Sequence, residues 1–263
     1  MSGENFEIIC EVEPPSRPDL MHVRHQIGVM SKVASAFLIP DNHIGRATVS
    51  SVAVAHEVER MGSRSIACLN ARDRNLLGFR RDLLTAAAYG VDQFLFVYGD
   101  EPASGSRTGQ LTVRSMLDEV RDFSTTPALG GHAFRAGVTS RLGPLPGWKA
   151  EADFVFTQVS FSLEDLLRWR DSVSFDGPIY AGVMVLASAP MARKLAAEIA
   201  AITIPADLVE ALEGDRAAGV EQACDLALAI RNSGAFSGVH LIPVSRYREV
   251  AARLEAEVRT LLP

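Results

Sequence analysis

The sequence is poor in cysteine and contains no long apolar run. Its three cysteines, Cys10, Cys68 and Cys224, are an odd number, lie far apart and show no C-x-x-C spacing. Neither a disulfide framework nor a structural zinc site is therefore indicated. No stretch approaches the roughly 20 apolar residues that span a bilayer, and acidic residues precede the first apolar run. These absences predict a cytoplasmic protein with no membrane partner.

An excess of basic residues is also absent. The chain has 26 Lys and Arg against 32 Asp and Glu, a formal net charge of -6, and its basic residues are scattered. This balance argues against a nucleic-acid partner. Hydrophobic residues make up 48% of the chain and charged residues 22%, which is ordinary globular usage.

Short β-branched or aromatic runs alternate with segments of helical period along the whole chain, which is typical of parallel βα units. The length of 263 residues is close to the roughly 250 of an eight-stranded α/β barrel. We therefore predict the α/β class and a single (β/α)8 barrel of the TIM type that forms one catalytic domain over residues 1–263. The predicted strands are Phe6–Cys10, Val33–Ile39, Ser65–Leu69, Gln93–Val97, Phe134–Val138, Phe154–Thr157, Ile179–Leu186 and Val239–Ile242.

Two of the predicted helices have clear ends. Ala47–Met61 is followed by Gly62 and Leu76–Tyr89 by Gly90, and glycine suits a left-handed C-terminal cap. The loop Glu101–Gly109 is rich in Gly, Ser and Pro and is the best candidate for a mobile lid. Apolar helix faces leave association into a homo-oligomer open.

Active sites of such barrels lie at the C-terminal ends of the strands, so polar residues there are the first candidates. The first strand leads into Glu11, and the following Pro14 and Pro15 end it. Strand alternation puts Ile9, Glu11 and Glu13 on one side, where an apolar neighbour and a second carboxylate both favour a protonated Glu11. A general acid needs this state, although a solvated glutamate at a strand end is equally compatible with the spacing.

Three further strand ends carry polar side chains. Asp100 follows the fourth strand in a Gly-Asp turn, and Gln158 at the end of the sixth offers an amide donor and acceptor. The cluster 70–75 after the third strand suits an anionic group near a helix N-terminus, or it simply caps the helix through Asn75. His22 and His25 have metal-ligand spacing, but no third ligand is evident, so we assign no metal.

Taken in order, these segments resemble the methylenetetrahydrofolate reductase family, and most closely its branch fused to a homocysteine methyltransferase. The similarity runs from Glu11 to about Pro243. The motifs that carry it are Cys10-Glu11-Val12-Glu13-Pro14-Pro15, Asp41-Asn42 with Arg46, Arg72-Asp73-Arg74-Asn75-Leu76, Tyr98-Gly99-Asp100 and Thr157-Gln158.

The resemblance implies reduction of 5,10-methylenetetrahydrofolate to 5-methyltetrahydrofolate, a step of one-carbon metabolism, with NADH or NADPH as reductant and FAD as the hydride carrier. By the same matching, Glu11 is the proton donor, Asp100 contacts the pterin and tunes the flavin, and Gln158 holds the pterin edge. The positions matched to the cofactor are Asp41, Asn42, Arg72, Asp73, Arg74, Asn75, Tyr98 and Gly99.

The chain departs from the family at Cys68, where flavin-binding members carry a histidine. Two alternatives therefore stand beside the flavin enzyme. One is a reductase that transfers hydride directly from the nicotinamide to the same substrate, and the other is a non-redox folate-binding partner of a methyl-transfer system.

Overall fold

In the computed structural model, which describes residues 6–101, 104–199 and 202–260, eight parallel strands form a closed barrel. The strands pair in chain order and β8 closes on β1, which confirms the predicted (β/α)8 fold. They are β1 Glu7–Glu11, β2 Ala36–Ile39, β3 Arg64–Asn70, β4 Gln93–Val97, β5 Arg135–Ser140, β6 Phe154–Val159, β7 Ile179–Met184 and β8 Gly238–Ile242.

Helices surround the barrel and cover the outward faces of the strands. They are α1 Met21–Met30, α2 Ser51–Arg60, α3 Leu76–Tyr89, α4 Val113–Ser124, α5 Leu163–Ser172, α6 Ala189–Glu198, α7 Ala206–Gly214, α8 Ala218–Ser233 and α9 Tyr247–Thr260. Within the described residues, no helix is both long and apolar enough to cross a membrane.

Strand alternation divides the apolar side chains into two layers. One set points outward and packs with the helices into the main core. The other set fills the barrel interior, where Phe154, Phe156 and Tyr180 contribute large aromatic rings. The interior is therefore a packed core rather than a channel.

Polar side chains close the N-terminal end of the barrel. The Tyr180 hydroxyl donates to Oε2 of Glu7 at 2.6 Å, and Arg64 forms an ion pair with the same carboxylate. Burial and the Glu7 carboxylate raise the pKa of Tyr180 above its ordinary value.

Helix α3 has the predicted bounds, with Asn75 as its N-cap and Gly90 at φ +73° as its left-handed C-cap. Gly62 is also left-handed. The predicted start of α2 at Ala47 is wrong, because the helix begins at Ser51. Residue Val49 donates its N–H to the carbonyl of Pro15 at 2.9 Å, and this contact keeps the preceding segment out of the helix.

Candidate functional site

The carboxyl group of Glu11 lies at the C-terminal end of β1, where the strand stops before the proline pair. Its Oε2 is 3.2 Å from Nε2 of His240, and the side chain is 17% exposed. The Glu11 carbonyl accepts a hydrogen bond from Nε2 of Gln26, a buried residue of α1, at 3.2 Å. The backbone of Glu11 is thus fixed, while its carboxyl group keeps access to the space above the barrel.

His240 is the site residue that sequence reasoning missed. It lies on β8, pairs with Ile9 across the seam that closes the barrel, and is buried. Its ring packs edge-on against Phe156 with centroids 5.3 Å apart. Among the described residues its Nε2 has no aligned hydrogen-bond partner, although it faces the Glu11 carboxylate. Glu11 and His240 therefore form an acid–imidazole pair that can exchange or share a proton.

A cavity of about 720 Å³ is lined by Glu11, and His240 lies behind Glu11 without lining it. Such a volume lies within the range of small-molecule sites. Its wall comes from the segments after β1, β2 and β8, the face of α1, and the start of α6. Glu11 and Glu13 line it together with the apolar Met184, Met191 and Ile242. Neither Asp100 nor Gln158 is part of this wall.

Asp100 reaches the cavity indirectly. It is exposed, and its Oδ2 accepts a hydrogen bond from the backbone N–H of Ile44 at 2.9 Å. Ile44 itself lines the cavity. In this structure Asp100 therefore holds part of the cavity wall in place from the end of β4, two strands away from β2.

Tyr98 and Gly99 precede Asp100 at the same strand end. The Tyr98 ring is 48% exposed and lies beneath the guanidinium of Arg107, 5.9 Å from its carbon to the ring centroid. Gly99 has φ +97°, and a Cβ there would stand 2.9 Å from Cβ of Asn70. Only glycine allows β4 to turn so close to the end of β3.

Gln158 lies where β6 departs from regular pairing with β7. The register shifts between Phe156 and Val159, and the Thr157 hydroxyl accepts from the N–H of Gly182 at 2.9 Å. The side chain of Gln158 is half-buried and forms no hydrogen bond within the described part of the chain. Its amide is therefore free to bind a ligand.

The residues matched to a cofactor bind one another. The side chain of Asp41 is only 5% exposed, and its Oδ2 accepts from both the backbone and side-chain nitrogens of Asn70, at 2.9 and 2.7 Å. Arg74 also forms an ion pair with Asp41 and donates from Nε to Asp82 at 2.8 Å. Two carboxylates thus pair with one guanidinium, and this unit ties β2, β3 and α3 together.

A second unit joins Arg72, Asp73 and Asn42. Arg72 donates to both carboxylate oxygens of Asp73 at 2.6 Å, and Asn42 donates to Oδ2 of Asp73 at 3.1 Å. The Arg72 guanidinium holds the pKa of Asp73 below its ordinary value. Asn75 accepts from the N–H of Gly78 at 2.8 Å, as expected of a helix cap.

These pairings decide which polar groups are available to bind the flavin that the family resemblance implies. Nη1 of Arg72 has no partner among the described residues, but the side chain is only 1% exposed. The two guanidinium groups of the cluster, Arg72 and Arg74, already pair with three carboxylates, those of Asp73, Asp41 and Asp82. The residues present therefore do not fit the phosphates of a dinucleotide cofactor. Cys68 lies in the barrel interior. Burial, followed by the charges of Glu11 and Asp41, raises the pKa of its thiol well above the usual value.

His22 and His25 both pack edge-on against Tyr247, with ring centroids 5.8 and 6.0 Å away. His25 also lies 2.8 Å from a guanidinium nitrogen of Arg248. His22 lines the cavity. Across residues 6–101, 104–199 and 202–260, no three His, Cys, Asp or Glu side chains come together as metal ligands.

The predicted lid falls partly outside the described residues, since 102–103 are not included. At its far end, Thr108 donates from its backbone N–H to the carbonyl of Arg72 at 3.0 Å, and from its hydroxyl to that of Arg74 at 2.6 Å. Arg107 forms an ion pair with Glu101. This end of the segment is thus attached to the loop that follows β3.

The fold and the cavity define a (β/α)8 barrel protein with a ligand site at the carboxyl ends of its strands, centred on β1 and β8. Residues 147–256 match the family model of methylenetetrahydrofolate reductase. The predicted resemblance to that family is therefore confirmed over this part of the chain, which contains Gln158 and His240. No curated protein matches the sequence significantly.

Solved structures share the fold. An uncharacterized protein from Clostridium thermocellum that binds two copies of 5-methyl-5,6,7,8-tetrahydrofolic acid is 13% identical, with a TM-score of 0.65 over 98% of this chain and 97% of its own. A mutant tryptophan synthase α-subunit from Pyrococcus furiosus is also 13% identical, with a TM-score of 0.51 over 97% of each chain. At these identities the likeness concerns the fold alone.

Proposed function

We propose that this protein is an oxidoreductase that reduces 5,10-methylenetetrahydrofolate to 5-methyltetrahydrofolate with hydride from NADH or NADPH. The observation that carries the proposal is the carboxyl group of Glu11, which lines the cavity and faces the buried imidazole of His240. The match to the methylenetetrahydrofolate reductase family and the folate bound by the Clostridium thermocellum protein support it.

The reaction needs one proton and one hydride. Protonation of the departing nitrogen opens the five-membered ring of the substrate and leaves an iminium at the other nitrogen. Hydride then adds to the iminium carbon, which becomes the methyl group, and the nicotinamide is oxidised. When bound, the nicotinamide supplies this hydride.

Within this scheme Glu11 gives its proton to the departing nitrogen, and His240 stabilises the carboxylate that remains. The two groups are 3.2 Å apart, close enough for the imidazole to return a proton to the acid between turnovers. Gln158 does not line the cavity, but its free amide lies at the end of β6 on the same side of the barrel, and in this scheme it binds the polar edge of a pterin that extends beyond the cavity. Asp100 positions the wall of the site through its bond to Ile44.

We favour direct hydride transfer over transfer through FAD. The polar groups matched to the flavin are paired with one another, and Cys68 stands inside the barrel in place of the expected histidine. The three cysteines are free and buried, which agrees with the reducing cytoplasmic location that we also propose.

The test is an anaerobic assay of the purified protein with 5,10-methylenetetrahydrofolate, using NADH and NADPH in turn, with and without added FAD. We expect nicotinamide oxidation and 5-methyltetrahydrofolate formation without FAD. A rate that depends on FAD would restore the flavin mechanism. Binding of 5-methyltetrahydrofolate without turnover under any of these conditions would favour the non-redox folate-binding protein.

The role of Glu11 is tested by Glu11→Gln, which keeps the shape of the side chain and removes the proton. Turnover should be abolished, while affinity for 5-methyltetrahydrofolate should stay within about tenfold of the wild type. A fully active Glu11→Gln protein would contradict the assignment.

A further inference from the structure

Two β-branched residues at the rim of the cavity have backbone conformations that their side chains disfavour. Ile44 has φ +51° and Val244 has φ +51°. For residues with a Cβ, the left-handed region costs roughly 1–2 kcal/mol, and β-branching makes it rarer still. Glycine or asparagine is the usual occupant of such a position.

Neither side chain offsets this cost by packing into the core. Ile44 is 54% exposed and Val244 is 39% exposed, and both line the cavity. Strained residues of this kind are found mainly where the strain serves a ligand site. The two conformations together direct apolar side chains toward one open space.

The barrel order places the segments that carry these residues on either side of β1. Strand β1, which ends at Glu11, lies between β2 and β8. Ile44 follows β2, and Val244 follows β8. Glu11, Ile44 and Val244 all line the same cavity, so a ligand that contacts the Glu11 carboxyl group there lies in the space bordered by both side chains.

Each residue is held by a hydrogen bond that fixes its segment. The N–H of Ile44 donates to Asp100 at 2.9 Å. Val244 lies in a turn closed by the N–H of Arg246, which donates to the carbonyl of Pro243 at 2.8 Å. The strained conformations are thus built in before any ligand arrives.

We infer that Ile44 and Val244 form an apolar clamp for the aryl ring of a tetrahydrofolate. This inference rests on the proposed function. The nitrogen that Glu11 protonates carries the aryl ring directly, so the ring must lie next to Glu11, in the cavity that these two side chains also line. The clamp therefore selects folates over tetrahydropterins that lack the aryl group.

Charge at the rim agrees with this orientation. Arg17 and Arg46 line the same cavity and form no ion pair or hydrogen bond through their side chains within the described residues. Glu13 and Asp19 also line it, but Asp19 already accepts from the N–H of Met21 at 2.9 Å. The free guanidinium groups suit the carboxylates at the far end of a folate.

The test uses the double variant Ile44→Gly with Val244→Gly, and a second double variant with asparagine at both positions. Two probes are titrated, 5-methyltetrahydrofolate and 6-methyltetrahydropterin, which has the bicyclic ring but no aryl group. We expect both variants to bind the folate about tenfold or more weakly than the wild type. Binding of the tetrahydropterin should be unchanged.

Thermal unfolding supplies an independent readout. Glycine and asparagine tolerate the left-handed backbone, so neither variant should melt below the wild type. Leu77→Ala removes a side chain that is 78% exposed and does not line the cavity, and it should alter neither affinity. The melting temperatures thus distinguish a weaker hydrophobic contact with the ligand from a loss of folded structure.

Three results would overturn the clamp: wild-type folate affinity in both variants, equal weakening of the two probes, or a lowered melting temperature in both variants. If the wild type does not bind 5-methyltetrahydrofolate at all, the proposed function itself fails. If it binds the folate and the variants bind it equally well, only the clamp fails.

Discussion

Replacing Gly182 by alanine should disturb the strand that carries Gln158. A Cβ at position 182 would lie 2.8 Å from the carbonyl oxygen of Thr157, 3.0 Å from the carbonyl carbon of Gln158 and 3.0 Å from the nitrogen of Val159. All three are backbone atoms, so no side-chain rotation can relieve the contacts. The end of β6 must move away from β7.

The size of the effect follows from these distances. Overpacking against a fixed backbone typically costs about 1–3 kcal/mol. The shift would also strain the hydrogen bond from the N–H of Gly182 to the Thr157 hydroxyl. For a chain of this length, about 2 kcal/mol corresponds to a melting temperature lower by roughly 4–8 °C.

Gly147→Ala is the matched control, because its Cβ would meet nothing within 4 Å and its φ is not in the left-handed region. Thermal unfolding of both variants, together with titration of 5-methyltetrahydrofolate, measures stability and the placement of Gln158. We expect lower stability and weaker folate binding only for Gly182→Ala. Equal stability of the two variants would refute the reasoning.

The remaining predictions concern the N-terminal end of the barrel, the N-cap of α3 and the Glu11–His240 pair. Tyr180→Phe loses the hydrogen bond to Glu7 and should lower the free energy of unfolding by about 1 kcal/mol at neutral pH. Because the pKa of Tyr180 is raised in the folded state, the wild type should lose this advantage as the pH rises above about 10. Urea unfolding of both proteins at several pH values would measure the difference. Asn75→Ala should cost about 1 kcal/mol by the same assay, and an unchanged value would mean that the cap bond contributes nothing. His240→Gln should lower kcat about tenfold and change KM less than about threefold, as steady-state kinetics would measure; an unchanged kcat would remove His240 from the proton pathway.

Local signals in the sequence were sufficient for much of the fold. Glycine after an apolar helical pattern predicted the end of α3 at Gly90, because a left-handed cap depends only on neighbouring residues. The start of α2 was not predictable in this way. It is determined by the contact between Val49 and Pro15, which come together only when the barrel has formed.

In the candidate site, too, some residues are predictable from neighbouring sequence and others depend on contacts between distant segments. Glu11 could be predicted because a strand and a proline pair fix its place along the chain. His240 could not be predicted, because it comes close to Glu11 only through the β1–β8 pairing that joins the two ends of the sequence. A histidine between apolar residues on a predicted strand was the one available signal.

The cluster 70–75 shows how composition can mislead about binding. Its charged residues indicated an anion site, yet the partners of Arg74 include Asp41, which is 33 residues away in the sequence, as well as the nearer Asp82. Only the folded chain reveals that the charges are matched internally. FAD binding therefore stays a prediction of the resemblance, since both guanidinium groups of this cluster are already paired with carboxylates.

The contacts that close the N-terminal end of the barrel affect which substitutions this protein can tolerate. The Glu7, Arg64 and Tyr180 contacts tie together β1, β3 and β7 at the end remote from the cavity. Substitutions among the loops of the mouth leave those contacts untouched, so new substrate preferences can be selected there without eroding the scaffold. Random libraries confined to segments 13–17, 42–48 and 243–245 should accordingly retain a high proportion of folded members.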